Sequence, residues 1–129
     1  MQVIENSVKS PILAASEKTA IALSEKLANA KELIEKNIER NYSLKELSTS
    51  IFISESHFSR LFKKNFGIAP HQYMIRVKVQ AGASLLQTTD RKIGDIALHA
   101  GFNDIFSFNR AFKSVLQTSP RAYRKAHHT

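Results

Sequence analysis

Apolar residues along this chain recur mainly at spacings of three, four and seven, the period of helices that bury one face. Between Ile12 and Tyr42, residues Ala20, Leu23, Leu27, Ile34 and Ile38 fall on one such face. No Gly or Pro interrupts the chain between Ile12 and Gly67, and Pro11 suits the first turn of a helix. The stretch predicts one long helix, or two with a break near Ala28–Ala30. The alternative for residues 12–28 is a disordered linker. Residues 1–10 hold no sustained period and predict a loose tail.

A second pattern begins beyond Asn41. Ser43 and Glu46 have capping-box spacing, and Leu44, Leu47 and Ile51 form one apolar side of a short helix. After a short break, Ser54 is placed to cap the helix ESHFSRLFKKNF, which Gly67 ends in the left-handed conformation. Pro70 opens a helix that runs to about Gln87, and Thr89–Asp90 marks a turn. A short helix follows around Ile93–Ala100, then a turn at Gly101, a helix from about Asp104 to Leu116, and a last one from Pro120.

These segments repeat. FSRLFKKNFGIAPHQY (58–73) aligns with FNRAFKSVLQTSPRAY (108–123) at an offset of fifty, with six identities in sixteen positions where chance gives roughly one. The identities are Phe58/Phe108, Arg60/Arg110, Phe62/Phe112, Lys63/Lys113, Pro70/Pro120 and Tyr73/Tyr123. Upstream the offset is forty-nine, pairing Leu44 with Ile93, Glu46 with Asp95 and Leu47 with Ile96, so the second copy carries one extra residue in its turn. The pattern is a tandem helix-turn-helix unit.

Composition narrows the function. The 129 residues are 43% hydrophobic and 23% charged, the balance of a globular domain. No apolar run approaches the ~18 residues that cross a bilayer, and the N-terminus does not read as a secretory signal. The absence of cysteine excludes disulfides, thiol catalysis and thiolate metal sites and suits a reducing, cytoplasmic location. With 4 Gly and 3 Pro, an all-β fold rich in tight turns is disfavoured. The net charge of +8 is unevenly spread: residues 1–59 sum to −1 and residues 60–129 to +9. Such a basic half predicts a polyanionic partner.

The repeated helices carry the chemistry. At 100° per residue, Phe58, Leu61, Phe62, Asn65 and Phe66 share one side of the first. Ser56, Arg60, Lys63 and Lys64 occupy the other, with Ser59 at the border. In the second copy, Phe108, Ala111, Phe112, Val115 and Leu116 form the buried side, while Phe106, Arg110 and Lys113 face away with Asn109 at the border. Short polar residues let a helix approach the floor of the major groove. Arg can pair bidentately with guanine, Asn with adenine, and Lys neutralises phosphate. The bland alternative is a solvated face, which explains matched Arg and Lys positions in two copies less well. An eighteen-residue linking helix would span about 27 Å, which fits two recognition helices about one turn of duplex apart. One chain carries both, so a monomer would suffice on DNA.

The run from Ser43 to Lys125 resembles the DNA-binding domain of AraC/XylS-type bacterial transcription regulators. The most specific segments are SESHFSRLFKKNFGIAPHQY (54–73), IGDIALHAGFND (93–104), FNRAFK (108–113) and SPRAYR (119–124), and the likeness covers about residues 28–125. It implies an all-α fold of seven helices, with two helix-turn-helix subdomains and a rigid linking helix. The chain then divides into a tail or linker helix (1–27), a first subdomain (28–69), the linking helix (70–88), and a second subdomain with a C-terminal helix (89–129). The function implied is promoter binding, often with activation through RNA polymerase.

The resemblance also assigns roles. Ser56, His57, Ser59 and Arg60 match the groove-reading part of the first recognition helix, and Ile105, Phe106, Ser107, Asn109 and Arg110 that of the second. Lys63 and Lys113 match backbone-contacting lysines. Two positions depart from the family pattern. Gln117 stands where the first copy has Gly67, so the second recognition helix is expected to end differently. Phe106 places a ring where a polar side chain is common, either to touch thymine methyls or to pack over Ile105 or a neighbouring subunit.

Competing functions find less support. The five histidines (57, 71, 99, 127 and 128) form no H-x₃-H pair with acidic partners, and there is no Gly-rich phosphate loop or serine elbow. No enzyme activity, metal or cofactor is therefore expected. A membrane-surface role would need a long basic helix with a wide apolar face, and none is found. The runner-up is a basic helical module that binds an acidic protein.

Overall fold

The structure, a computed structural model, describes residues 11–128, with side chains from Thr19 onward. The loose tail expected for residues 1–10 lies outside the described residues. The described part holds seven helices and no strand: α1 (Pro11–Lys36), α2 (Leu44–Ser50), α3 (Glu55–Phe66), α4 (Pro70–Thr88), α5 (Ile93–His99), α6 (Ile105–Leu116) and α7 (Pro120–His127). No helix among them is long and apolar enough to cross a membrane.

Helix α1 is a single 26-residue helix with no break at Ala28–Ala30. Ala30 is fully buried, and its small side chain lets the helix lie close to the core. The helix stops at Lys36 rather than running to Tyr42. Asn37 turns its side-chain amide back to the Leu33 carbonyl at 3.0 Å, and the Arg40 amide closes a turn on the Asn37 carbonyl at 3.0 Å. Arg40 then lies over the Tyr42 ring and pairs with Glu46 at 2.9 Å. The capping box follows as the spacing predicts, with Ser43 Oγ accepting from the Glu46 amide and Glu46 Oε1 accepting from the Ser43 amide.

Two apolar clusters form along α4. The first gathers Leu27, Ala30 and Ile34 of α1 with Leu47, Ile51, Phe58, Phe62 and Met74. The helix thus crosses the 27/28 boundary without interruption, and Leu27 is 1% exposed. The second gathers Val79, Ala83, Leu86, Ile96, Ala97, Phe108 and Phe112. At about 28 Å for 19 residues, α4 is long enough to feed both and packs on α1, α3, α5, α6 and α7.

The repeat seen in the sequence is a repeat of packing. Phe58 and Phe62 stack at 5.6 Å and Phe62 meets Tyr73 at 5.9 Å; Phe108, Phe112 and Tyr123 repeat this at 5.5 and 5.4 Å. All four phenylalanines are fully buried. The extra residue can be placed. Phe52 and Gly101, forty-nine apart, both take left-handed backbone, with φ of 60° and 94°. Each donates to the carbonyl three residues back, and the following residue, Ile53 or Phe102, to the carbonyl five back. The N-caps Ser54 and Asp104 are fifty apart, so Asn103 is the insertion.

Two details depart from the expectations above. Asn65 is exposed, and its amide donates to the Leu61 carbonyl at 2.8 Å. Gln117 adopts φ 62° and ψ 24°, the same left-handed cap as Gly67, so α3 and α6 end alike where the sequence predicts a difference. Its amide donates to the Lys113 carbonyl at 2.9 Å and its side chain to the Ser114 carbonyl at 2.9 Å. At the end of α7, His127 stacks on Tyr123 at 4.3 Å, and His128 Nε2 lies 3.1 Å from both the Thr89 carbonyl and Asp90.

Side chains from distant elements fix the ends of α1 and α4. Lys78, 4% exposed, sends its ammonium from α4 to the Ile38 and Arg40 carbonyls beyond α1. Burial pushes its pKa down from the ordinary lysine value, with Glu39 opposing. Arg124 donates to the Leu86 and Thr89 carbonyls at 3.1 and 3.0 Å, serving the C-terminal end of α4, whose last turn has no basic residue of its own. The Tyr73 hydroxyl donates to Glu35, which Lys31 also approaches at 3.0 Å. These two contacts, the tyrosine's being the larger influence, hold the Glu35 carboxyl below the usual range.

Candidate nucleic-acid interface

Helices α3 and α6 are each set by a cap at the start and phenylalanines on the inner side. Ser54 Oγ accepts from the His57 amide at 3.2 Å, and Asp104 Oδ1 accepts from the Ser107 amide at 2.8 Å. That backbone donor holds the Asp104 carboxyl below its ordinary pKa. Phe58 and Phe62 turn the inner face of α3 into the first cluster, and Phe108 and Phe112 do the same for α6. The opposite face of each helix is thereby committed to solvent.

The structure puts the expected residues in two groups. Ser56, His57, Arg60 and Lys63 are exposed on α3, as are Phe106, Asn109, Arg110 and Lys113 on α6. Ser59, Ile105 and Ser107 are half-buried. Ser59 edges a cleft shared with Ser43, Leu44 and His71, whereas Ser107 edges a groove between the two units with His71, Asn103 and Arg110. Ser114 and Gln117 extend the α6 strip in a shallow trough with Phe106, Asn109, Arg110 and Lys113. These two were legible in principle, since 106, 110 and 114 lie on one helical row and 109, 113 and 117 on the adjacent one. His71, by contrast, comes to both clefts from the first turn of α4, and only tertiary packing brings it there.

The cations on these strips are not spent on structure. Among the described residues, the ion pairs are Lys31–Glu35, Lys36–Glu32, Arg40–Glu46 and His128–Asp90. Arg60, Lys63, Lys64 and Lys113 belong to none of them, and Arg110 acts on Asp104 only as a minor, longer-range influence. Lys63, Lys64 and Lys113 also lie in the last turns of their helices, where a positive charge suits the dipole. The dipole explains a cation at a helix end; it does not explain arginine at matched mid-helix positions. Two unpaired basic strips, each flanked by short polar groups, suit a polyanion whose grooves can be read.

Comparison with known proteins agrees with this geometry. A helix-turn-helix domain model matches residues 47–126. The probable transcriptional regulator LumQ of Photobacterium leiognathi is 33% identical over 91 residues, which is 70% of this chain and 37% of that protein. The lactose operon transcription activator of Staphylococcus xylosus is 29% identical over 106 residues, 82% of this chain and 37% of its own length. The chain thus spans little more than a third of these two relatives. Among solved structures, the DNA-binding domain of AdpA, a global transcriptional factor in complex with a target DNA, matches with a TM-score of 0.74. It is 28% identical, and the match covers 78% of this chain and 90% of that one.

Proposed function

The chain belongs to the AraC-type helix-turn-helix family, and from that premise we propose that it is a sequence-specific, double-stranded-DNA-binding transcription regulator. Helices α3 and α6 read two successive major-groove segments. The observation that carries this reading is the pair of exposed, unpaired basic strips repeated at an offset of fifty. Ser56, His57, Ser59 and Arg60 read bases in one segment. Ile105, Phe106, Ser107, Asn109 and Arg110 read them in the other, and Lys63 and Lys113 hold phosphates. Because both helices belong to one chain, a single copy engages both segments. Activation through RNA polymerase is the regulatory mode most in keeping with the relative named as an activator.

The test is selection of bound duplexes from a random library, followed by footprinting of the enriched sequence and a salt titration. Two protected segments about one helical turn apart support the reading. Binding that falls with salt but enriches no sequence would favour the basic protein-interaction module instead.

Lys63→Ala and Lys113→Ala are each expected to weaken specific and random duplexes by a similar factor. Each should also lower the slope of log affinity against log salt by about one, the loss of a single phosphate contact. A loss confined to the specific site with an unchanged slope would show instead that these lysines read bases.

A further inference from the structure

We infer that Phe106 reads the 5-methyl group of a pyrimidine, making a thymine beside the base read by Arg110 a determinant of the second half-site. This rests on the DNA-reading function proposed above and adds to it the chemical identity of one base. Five large apolar side chains are exposed among the described residues, and Phe106, at 75%, is the one that stands on a recognition helix. Among the described residues no ring stacks on it, although Phe102, Phe108 and Phe112 on and beside the same helix form a continuous stack. It lines the trough that also holds Asn109, Arg110 and Lys113, so it lies within the basic strip rather than apart from it.

The chemistry of the ring restricts what it can contact there. Phenylalanine has no donor or acceptor for a base edge or a phosphate, and the thymine methyl is the apolar group that the major groove displays. Phe106 precedes Arg110 by one helical turn, about 6 Å along the axis, which is less than two base-pair steps of ~3.4 Å. The ring therefore falls within two base pairs of the one that the guanidinium reads. The matched position in the first copy is Ser56, also exposed, whose hydroxyl accepts and donates without preferring a methyl group. The two helices thus share an arginine and a lysine but differ one turn upstream, which makes the two half-sites unlike.

The experiment uses the selected duplex and replaces each thymine of the second half-site in turn by deoxyuridine, which removes the methyl group and nothing else. At one position within two base pairs of the Arg110-dependent one, the wild-type chain should lose about fourfold in affinity, equivalent to ~0.8 kcal/mol for one buried methyl. Phe106→Ala should bind the thymine and deoxyuridine duplexes equally. Phe106→Leu, which keeps an apolar group, should retain part of the preference. Cytosine at that position should bind weakly and 5-methylcytosine should recover part of the loss. Because Phe106 is exposed, helical content by circular dichroism should be the same in all three proteins. If the wild type binds its selected site but no deoxyuridine substitution matters, or if the effect survives in Phe106→Ala, methyl reading is wrong while DNA reading stands. If no sequence is selected at all, both fall.

Discussion

Gly101→Ala is expected to destabilise the chain by about 3–5 kcal/mol, the range in which a single substitution signals a specific structural conflict. Gly101 has φ 94°, where an L-residue with a Cβ is strained by ~1–2 kcal/mol. The larger part is steric. A Cβ there overlaps the Ile38 carbonyl oxygen and the Lys78 ammonium, at the point where the turn of the second unit meets the segment after α1. Relief requires Lys78 to withdraw from carbonyls it reaches from a buried position, and hydrogen bonds from a charged donor are worth roughly 1.5–3 kcal/mol each. Gly67→Ala supplies the control. Its φ is 77°, but no atom outside its chain neighbours lies within 4 Å of the added Cβ, so it should cost the backbone strain alone. Urea unfolding midpoints with unchanged slopes would measure both. Equal losses in the two variants would show that the close approach of Gly101, Ile38 and Lys78 carries no energy.

That conflict involves residues whose roles the sequence does not announce, and it marks where sequence reading runs out. Local signals translate directly into geometry. The spacing of Ser43 and Glu46 becomes a reciprocal cap, Gly67 becomes a left-handed stop, and the offset of fifty becomes two matched aromatic stacks. These depend on neighbours within a few residues or on identities visible by eye. Lys78 looks like a solvated lysine in its local pattern; its burial follows from two carbonyls nearly forty residues away. The Arg124 caps at Leu86 and Thr89 are non-local in the same way. Gln117 fails as a sequence signal for another reason. The left-handed cap is set by the Lys113 carbonyl and the following Pro120 helix, and a glutamine that can bond the Ser114 carbonyl accepts the strain that glycine avoids. At the interface, periodicity indicates which faces turn outward and puts Ser59 at the border, where it is half-buried. It does not show that His71 joins the groove, nor that Ile105 and Ser107 are half-buried, since those depend on how α4 lies against both units.

Arg60→Ala and Arg110→Ala are each expected to weaken binding to the selected duplex by about 1–3 kcal/mol, roughly five- to 150-fold. The two should relax base preference in different halves of the site. Both arginines are exposed, neither is held by a salt bridge, and both stand one turn past the start of a helix whose inner face is pinned by two buried phenylalanines. That placement presents a planar fork where guanine offers O6 and N7. Arg→Lys variants separate charge from shape. A lysine keeps the positive charge but loses the fork, so Arg60→Lys and Arg110→Lys should nearly preserve affinity for random DNA while losing discrimination at one base pair each. Because the two helices belong to different clusters, the losses in the Arg60→Ala/Arg110→Ala double variant should add to within ~0.5 kcal/mol. Competition titrations against duplexes mutated one base pair at a time would map each effect. If both substitutions relaxed the same base pairs, a single helix would be reading the DNA, and α6 or α3 would need another role.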